Sequence, residues 1–216
     1  MRRAAAALTI IVTVIAARFS SEPAGSAGAL LLTIQIHDYS RVPGTSLSQA
    51  RAIVTRIYEK IGVRTEWIGV ARGEDLLARA ERHDPMPGPS RAQLTLIILT
   101  PKMAARAGVA DGVLGYAAVP AAGMGRIAFA IYDRVRSTAT RIPVNEAELL
   151  GFVMAHEIGH LMLPGDSLAD KDTGPMQNHW NVRDLRGRDL QQLEFSEDQA
   201  RAIRRTIESA GGDAGG

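Results

Sequence analysis

Residues 30–70 read LLLTIQIHDYSRVPGTSLSQARAIVTRIYEKIGVRTEWIGV, and this stretch decides the fold. Leu30 to His37 is apolar and rich in β-formers, the composition of a buried strand. Tyr39 to Thr45 carries Pro43 and Gly44 and reads as a loop. Ser46 with Gln49 three residues later makes a capping box. Ala50, Ile53, Val54, Ile57 and Ile61 then recur at helical spacing until Gly62 supplies the stop. Val63 to Val70 alternates as a second strand. Strand, helix, strand within about forty residues is a βαβ unit, so the sheet begins parallel.

Outward from this unit, the charged, proline-rich and glycine-rich Ala71 to Arg91 reads as a surface connection with a short helix at Asp75 to Glu81. Gln93 to Thr100 is a continuous apolar strand of the buried parallel kind. Val113 to Val119 and Arg126 to Asp133 follow as two further strands. Only the glycine-rich Ala121 to Gly125 separates them, so they pair antiparallel. Asn145 with Glu148 is a second capping signature. It opens a helix through Leu149, Phe152, Val153, His156 and His160 to about Leu163, where Pro164-Gly165 ends it. Asp166 to Gly187 has little periodicity. Ser196 with Gln199 caps a last helix carrying Ala200, Ile203 and Ile207, and Gly211 to Gly216 is expected to be a disordered tail. The fold expected is α/β (α+β): one domain over residues 30–210, with a twisted mixed five-stranded sheet, one antiparallel edge strand, a central helix bearing the histidines, and a C-terminal helix.

Charged residues at 22% and hydrophobic residues at 46% belong to an ordinary globular chain. The net charge is +2 and the arginines are scattered, which argues against a nucleic-acid partner. Residues 1–29 have the order of a signal peptide and spacer. Arg2 and Arg3 precede an apolar run from Ala4 to Ala17, followed by small and polar residues to Ala29. That run is short of the roughly 20 residues a bilayer span needs. Export to a secreted or periplasmic location is therefore expected, with no stable membrane span after signal removal. There is no cysteine, hence no disulfide and no lipid-anchoring thiol.

Residues 156 to 160 read His-Glu-Ile-Gly-His within the expected helix. Histidines at i and i+4 lie on one helix face, where two imidazole nitrogens can meet one zinc ion at about 2.0 to 2.1 Å. Glu157 follows the first ligand, placed to take a proton from an activated water rather than to bind the metal. An unpartnered His-Glu-His set on an apolar helix is costly to bury, and Zn2+ is its natural partner. A catalytic zinc site usually needs a third protein ligand. Asp166 comes six residues after His160, just past the Pro164-Gly165 turn, and ranks first. Asp170 is the alternative, with Asp172 and His179 also within reach.

These residues resemble the metzincin metallopeptidases, whose extended motif is HExxHxxGxxH or, in the small snapalysin-like branch, HExxHxxGxxD, followed by a methionine turn. His156, Glu157, His160 and Asp166 fall on that spacing, and Met176 in Thr173-Gly174-Pro175-Met176 looks like the methionine turn. The chain departs from the pattern at Leu163, where the family has glycine. Gly112-Val113-Leu114-Gly115-Tyr116-Ala117 followed by Arg126 to Asp133 is similar to the edge strand and its neighbour in matrix-metalloproteinase-like domains. The whole stretch from Leu30 to Ser196 also looks like small bacterial exported proteins of this type, and that alignment favours Asp170 as third ligand.

The resemblance implies a zinc-dependent endopeptidase with Glu157 as general base and a peptide or protein as substrate. Leu114, Gly115, Tyr116 and Ala117 would bind that substrate by strand addition, and Trp180 would wall a side-chain pocket. Two other readings compete. One is a thermolysin-like site completed by Glu194 or Glu197; the other is a non-catalytic exported protein that binds zinc or peptide.

Overall fold

The structure, a computed structural model, describes residues 30–69, 91–119, 126–142, 144–163, 174–177 and 193–212. Within them the chain forms β1 (Leu30–Asp38), α1 (Gly44–Glu59), β2 (Val63–Gly69), β3 (Arg91–Leu99), α2 (Pro101–Arg106), β4 (Gly115–Ala118), β5 (Ile127–Ile131), α3 (Tyr132–Arg141), α4 (Glu146–Met162) and α5 (Glu197–Gly212). The five strands make one mixed sheet in the order β2-β1-β3-β5-β4. β1 runs parallel to β2, with Leu30 opposite Val63, and parallel to β3, with Leu31 opposite Arg91. β3 is parallel to β5, and β4 closes the far edge antiparallel to β5. This is the α+β architecture with a mixed sheet and one antiparallel edge strand that the sequence leads one to expect.

Alternation on the central strands builds the core. Leu32, Ile34 and Ile36 of β1, and Leu94, Leu96 and Ile98 of β3, are buried together with Ala50, Ile53, Val54 and Ile57 of α1. Side-chain hydrogen bonds tie α1 to its β2 neighbour: Thr55 Oγ1 lies 2.6 Å from Thr65 Oγ1, and Trp67 Nε1 donates to Thr55 Oγ1 at 3.0 Å. α4 lies beside α1 and is buried on nearly every side, from Leu149 and Leu150 through Phe152, Met154 and Ala155 to Ile158, Leu161 and Met162. The two helices approach closely at Gly151. A Cβ there would stand 2.8 Å from the Ala50 carbonyl oxygen and 2.9 Å from Ile53 Cβ. One turn on, the Tyr58 hydroxyl donates to the Ala155 carbonyl at 3.3 Å.

Asn145 caps α4 as its sequence suggests, its Oδ1 accepting from the Ala147 and Glu148 N–H groups at 2.9 and 3.1 Å. Ser196 and Gln199 form a reciprocal capping box at α5, Ser196 N donating to Gln199 Oε1 and Gln199 N to Ser196 Oγ.

Other boundaries differ from expectation. α1 begins at Gly44, directly after Pro43, without a side-chain cap, so Ser46 lies inside its first turn and Gln49 in its second. The entry is set instead by Asp38 Oδ2, which accepts from Val42 N at 2.8 Å, and by proline, whose ring holds φ at −52°. The strand expected over 113–119 is limited to Gly115–Ala118. The one expected over 126–133 ends at Ile131, where the chain turns into α3. α2 and α3 have no counterpart in the expected elements, although Thr100-Pro101 is a start signal: Thr100 Oγ1 accepts from Met103 N with proline at the first helical position. α5 runs through Gly212, so Gly211 and Gly212 are helical rather than tail. Residues 1–29 and the helix expected at 75–81 lie outside the described residues. Among the described residues no helix is long and apolar enough to cross a membrane.

Candidate metal and catalytic site

His156, Glu157 and His160 are carried on the last two turns of α4. The i, i+4 spacing brings the two imidazoles together as anticipated, with ring centroids 4.6 Å apart and planes at 82°. Their Nε2 atoms face each other at 3.0 Å. That is a hydrogen-bond distance between the rings, and it is close to the about 3.3 Å that separates two nitrogens bound at about 2.0 to 2.1 Å to one tetrahedral zinc.

The proton on His156 can be placed by elimination. Its Nδ1 lies 2.7 Å from the Pro175 carbonyl oxygen. A carbonyl only accepts, so Nδ1 carries the proton and donates it. In the neutral ring that leaves the Nε2 lone pair directed at the position shared with His160.

The turn that supplies this carbonyl is held at Gly174 and at Met176. Gly174 adopts φ +78° and lies so close to the Glu194 carbonyl oxygen that no Cβ would fit. Met176 is fully buried, its sulfur filling the space where a Cβ on Gly159 would stand. Phe195 packs beside Met176 on the same side of Gly159, edge-on to Tyr58 at 5.2 Å. Met176, expected to form a methionine turn, thus lies buried against Gly159 of α4.

Glu157 is 6% exposed, and burial alone pushes its carboxyl from the ordinary 4.5 up to about 8. Among the described residues no donor reaches its carboxylate. It leans instead on the backbone of Gly115, where a Cβ would meet Glu157 Cγ at 2.8 Å, Glu157 Oε1 at 2.9 Å and the Phe129 carbonyl oxygen at 2.7 Å. Gly115 has no side chain, and that is what lets the helix carboxylate lie against the edge strand.

Between strand and helix lies a cavity of about 260 Å3 lined by Gly112, Val113, Leu114, Gly115, Val153, His156, Glu157 and Gln177. Of the four edge-strand residues expected to contact substrate, Leu114 and Gly115 line this cavity. Tyr116 and Ala117 do not. Tyr116 stacks on Phe129 at 4.4 Å as part of a second, smaller apolar cluster with Leu99, Ala104 and Ile131, while Ala117 packs against the main core. Ile131 N donates to Leu114 O at 2.8 Å, which makes 114 and 131 a hydrogen-bonded pair. By the two-residue alternation of an antiparallel ladder, the N–H and C=O of Gly115 and Ala117 point away from β5.

Asp166, Asp170, Asp172, His179 and Trp180 lie outside the described residues. Among the described residues no group of three His, Cys, Asp or Glu side chains that could hold a metal is assembled. That includes Glu194 and Glu197, neither of which joins the histidine pair; Glu194 is engaged by Lys60 at 2.8 Å. Sequence reasoning missed the Pro175 carbonyl, because a backbone acceptor has no residue signature. It also missed the close seat of Glu157 on Gly115.

No family model matches this chain, and no curated protein matches it. Among solved structures it is similar to the crystal structure of archaemetzincin from Methanopyrus kandleri, with 16% identity over 86% of this chain and 98% of that chain and a TM-score of 0.43. The reading of the site rests on its own geometry.

Proposed function

We propose that this protein is an exported, metzincin-type zinc endopeptidase. The observation that carries the reading is the pair of Nε2 atoms 3.0 Å apart, with the proton of His156 held on Nδ1 by the Pro175 carbonyl. His156 and His160 are the zinc ligands in this proposal. Asp166 is the third and Asp170 the alternative. Zinc, when bound, supplies a Lewis acid that polarises a carbonyl and acidifies water.

The chain's own residues provide the rest. Glu157, buried on the cavity wall beside His156, is the general base: its carboxylate accepts a proton from the attacking water and passes it to the leaving amine. Gly115 and Ala117 offer outward backbone groups to an extended peptide, and the cavity beside Leu114 and Val153 receives one of its side chains. Met176 supports the ligand pair from below. Residues 1–29 direct export to a secreted or periplasmic location.

The test uses zinc-loaded protein and a mixed peptide library. Wild type is expected to bind near one zinc and to cleave. Glu157→Gln is expected to keep the metal and lose turnover by at least about a hundredfold, the scale of a general base. Loss of zinc in only one of Asp166→Ala and Asp170→Ala would identify the third ligand. A wild type that holds zinc and cleaves nothing would leave a non-catalytic binding protein, and an active Glu157→Gln variant would remove the base assignment.

A further inference from the structure

The wall of the cavity opposite α4 is not a strand along its whole length. Gly112, Val113 and Leu114 precede β4 and belong to the connection from α2, which turns through left-handed glycines at Gly108 (φ +66°) and Gly112 (φ +89°). Such a segment has few ladder bonds of its own. Val109 N donates to Ala104 O at 3.2 Å and Val113 N to Ala110 O at 3.4 Å, both local. Among the described residues one backbone bond fastens it to the sheet, Ile131 N to Leu114 O.

Val109 and Leu114 also pack on apolar clusters, and among the described residues the remaining polar fastening comes from one side chain. Arg134, in the first turn of α3, donates through Nη1 to the carbonyls of Ala110 at 2.6 Å and Val113 at 2.9 Å, and through Nη2 to that of Val109 at 3.1 Å. Three carbonyls from a five-residue arc converge on one planar guanidinium, whose rigid fork of donors can meet them together. The ion pair to Asp111, at 3.6 Å and fully exposed on the carboxylate side, adds little.

The arrangement has a direction. Ile131 and Arg134, three residues apart at the junction of β5 and α3, grip the segment on the side away from the cavity. Val113 C=O is thereby turned toward Arg134 and away from the site. Gly112 to Gly115 is left facing His156 and Glu157 as a wall of backbone and aliphatic carbon.

We infer that Arg134 is a positioning residue for substrate, fixing the entry wall of the edge strand at the distance from Glu157 at which a peptide chain is aligned. The inference rests on the peptidase reading proposed above. Arg134 touches neither the histidine pair nor Glu157, so its removal leaves the metal ligands in place and loosens only the surface a peptide lies on.

The experiment compares wild type with Arg134→Ala, Arg134→Lys and, as a charge control, Asp111→Asn. Zinc content, hydrogen exchange at the Val109, Val113 and Ile131 amides, and kcat and KM on a peptide found by library cleavage are measured for each. Arg134→Ala is expected to keep its zinc, to lose protection at those three amides, and to raise KM about tenfold with kcat changed less than about threefold, the pattern of lost substrate binding. Arg134→Lys should recover only part, because one ammonium cannot span three carbonyls as a fork does, and Asp111→Asn should match wild type.

Unchanged exchange and KM in Arg134→Ala overturn the inference. So does a fall in kcat together with zinc, which marks a general structural role. If the alanine variant does not fold, the lysine variant decides on the same readouts. A zinc-loaded wild type that cleaves no peptide retires the peptidase reading and the substrate role with it, whereas the exchange data fail or succeed on Arg134 alone.

Discussion

Gly115→Ala tests the seat of Glu157 on the edge strand most directly. The added Cβ would lie 2.7 Å from the Phe129 carbonyl oxygen and 2.8 and 2.9 Å from Glu157 Cγ and Oε1, where ordinary contact begins at 3.4 Å. About 0.7 Å must be found against a backbone atom inside the sheet. β4 therefore moves outward or Glu157 swings out of place. Overpacking of this kind costs about 1 to 3 kcal/mol, and in a chain of this length a Tm drop of roughly 2 to 10 °C follows. A displacement approaching 1 Å at a reacting group costs on the order of a hundredfold, so kcat/KM should fall roughly tenfold to a hundredfold. Zinc stoichiometry should not change, since His156 and His160 make no contact with the new methyl. The assays are a thermal melt, metal analysis and peptide turnover on the same preparation. An alanine variant with wild-type Tm and kcat/KM would show that Glu157 does not rest against Gly115, and the account of the base would lose its geometry.

In zinc-free protein Glu157 should make stability depend on pH. Its folded pKa, about 8, lies above the unfolded 4.5, so its contribution is fully present below pH 4.5 and is lost as pH rises through 8. At about 1.4 kcal/mol per unit, the stability of Glu157→Gln relative to wild type should rise by about 3 to 4 kcal/mol between pH 5 and pH 8 in chelator, read by denaturant titration; a difference that stays flat would mean the carboxyl is not buried. Gly159→Ala drives a Cβ into Met176 Sδ and should shift the turn bearing Pro175, weakening zinc binding about tenfold in chelator competition. Asn145→Ala removes the cap on two N–H groups and should lower stability by about 1 kcal/mol while zinc binding and turnover hold.

What the sequence made legible was local. The helix that bears His156 and His160 could be read from its 3.6-residue spacing and the Asn145 cap, both fixed within a few residues, and the first βαβ unit from two apolar runs bracketing an amphipathic one. What it hid was set by approach between distant segments. The Pro175 carbonyl reaches His156 only because Gly174 and Met176 fit against Glu194 and Gly159. Arg134 is one of many arginines until α3 carries it to the Val109–Val113 arc. α3 itself escaped because Tyr132, Val135 and Ala139 are its buried residues among seven polar or small neighbours, too thin a stripe to outweigh the strand that runs into it. Motif similarity says which residues line up and not which face they take: the Tyr116 ring stacks on Phe129 in the smaller apolar cluster.

A helix buried on nearly every side has no solvent-facing stripe to say where along its own axis it should stop. α4 meets that difficulty at Gly151, where the Ala50 carbonyl and Ile53 occupy the volume a side chain would need. The notch acts as a detent, and the next equivalent position along the axis is a full turn, about 5.4 Å, away. Because both histidines ride on the same rigid rod, an error at residue 151 would carry them together. Their mutual spacing would survive, but their aim at the Gly115 wall and the Pro175 carbonyl would not. Such a protein would still capture metal and would hold it out of alignment with everything that makes the metal useful.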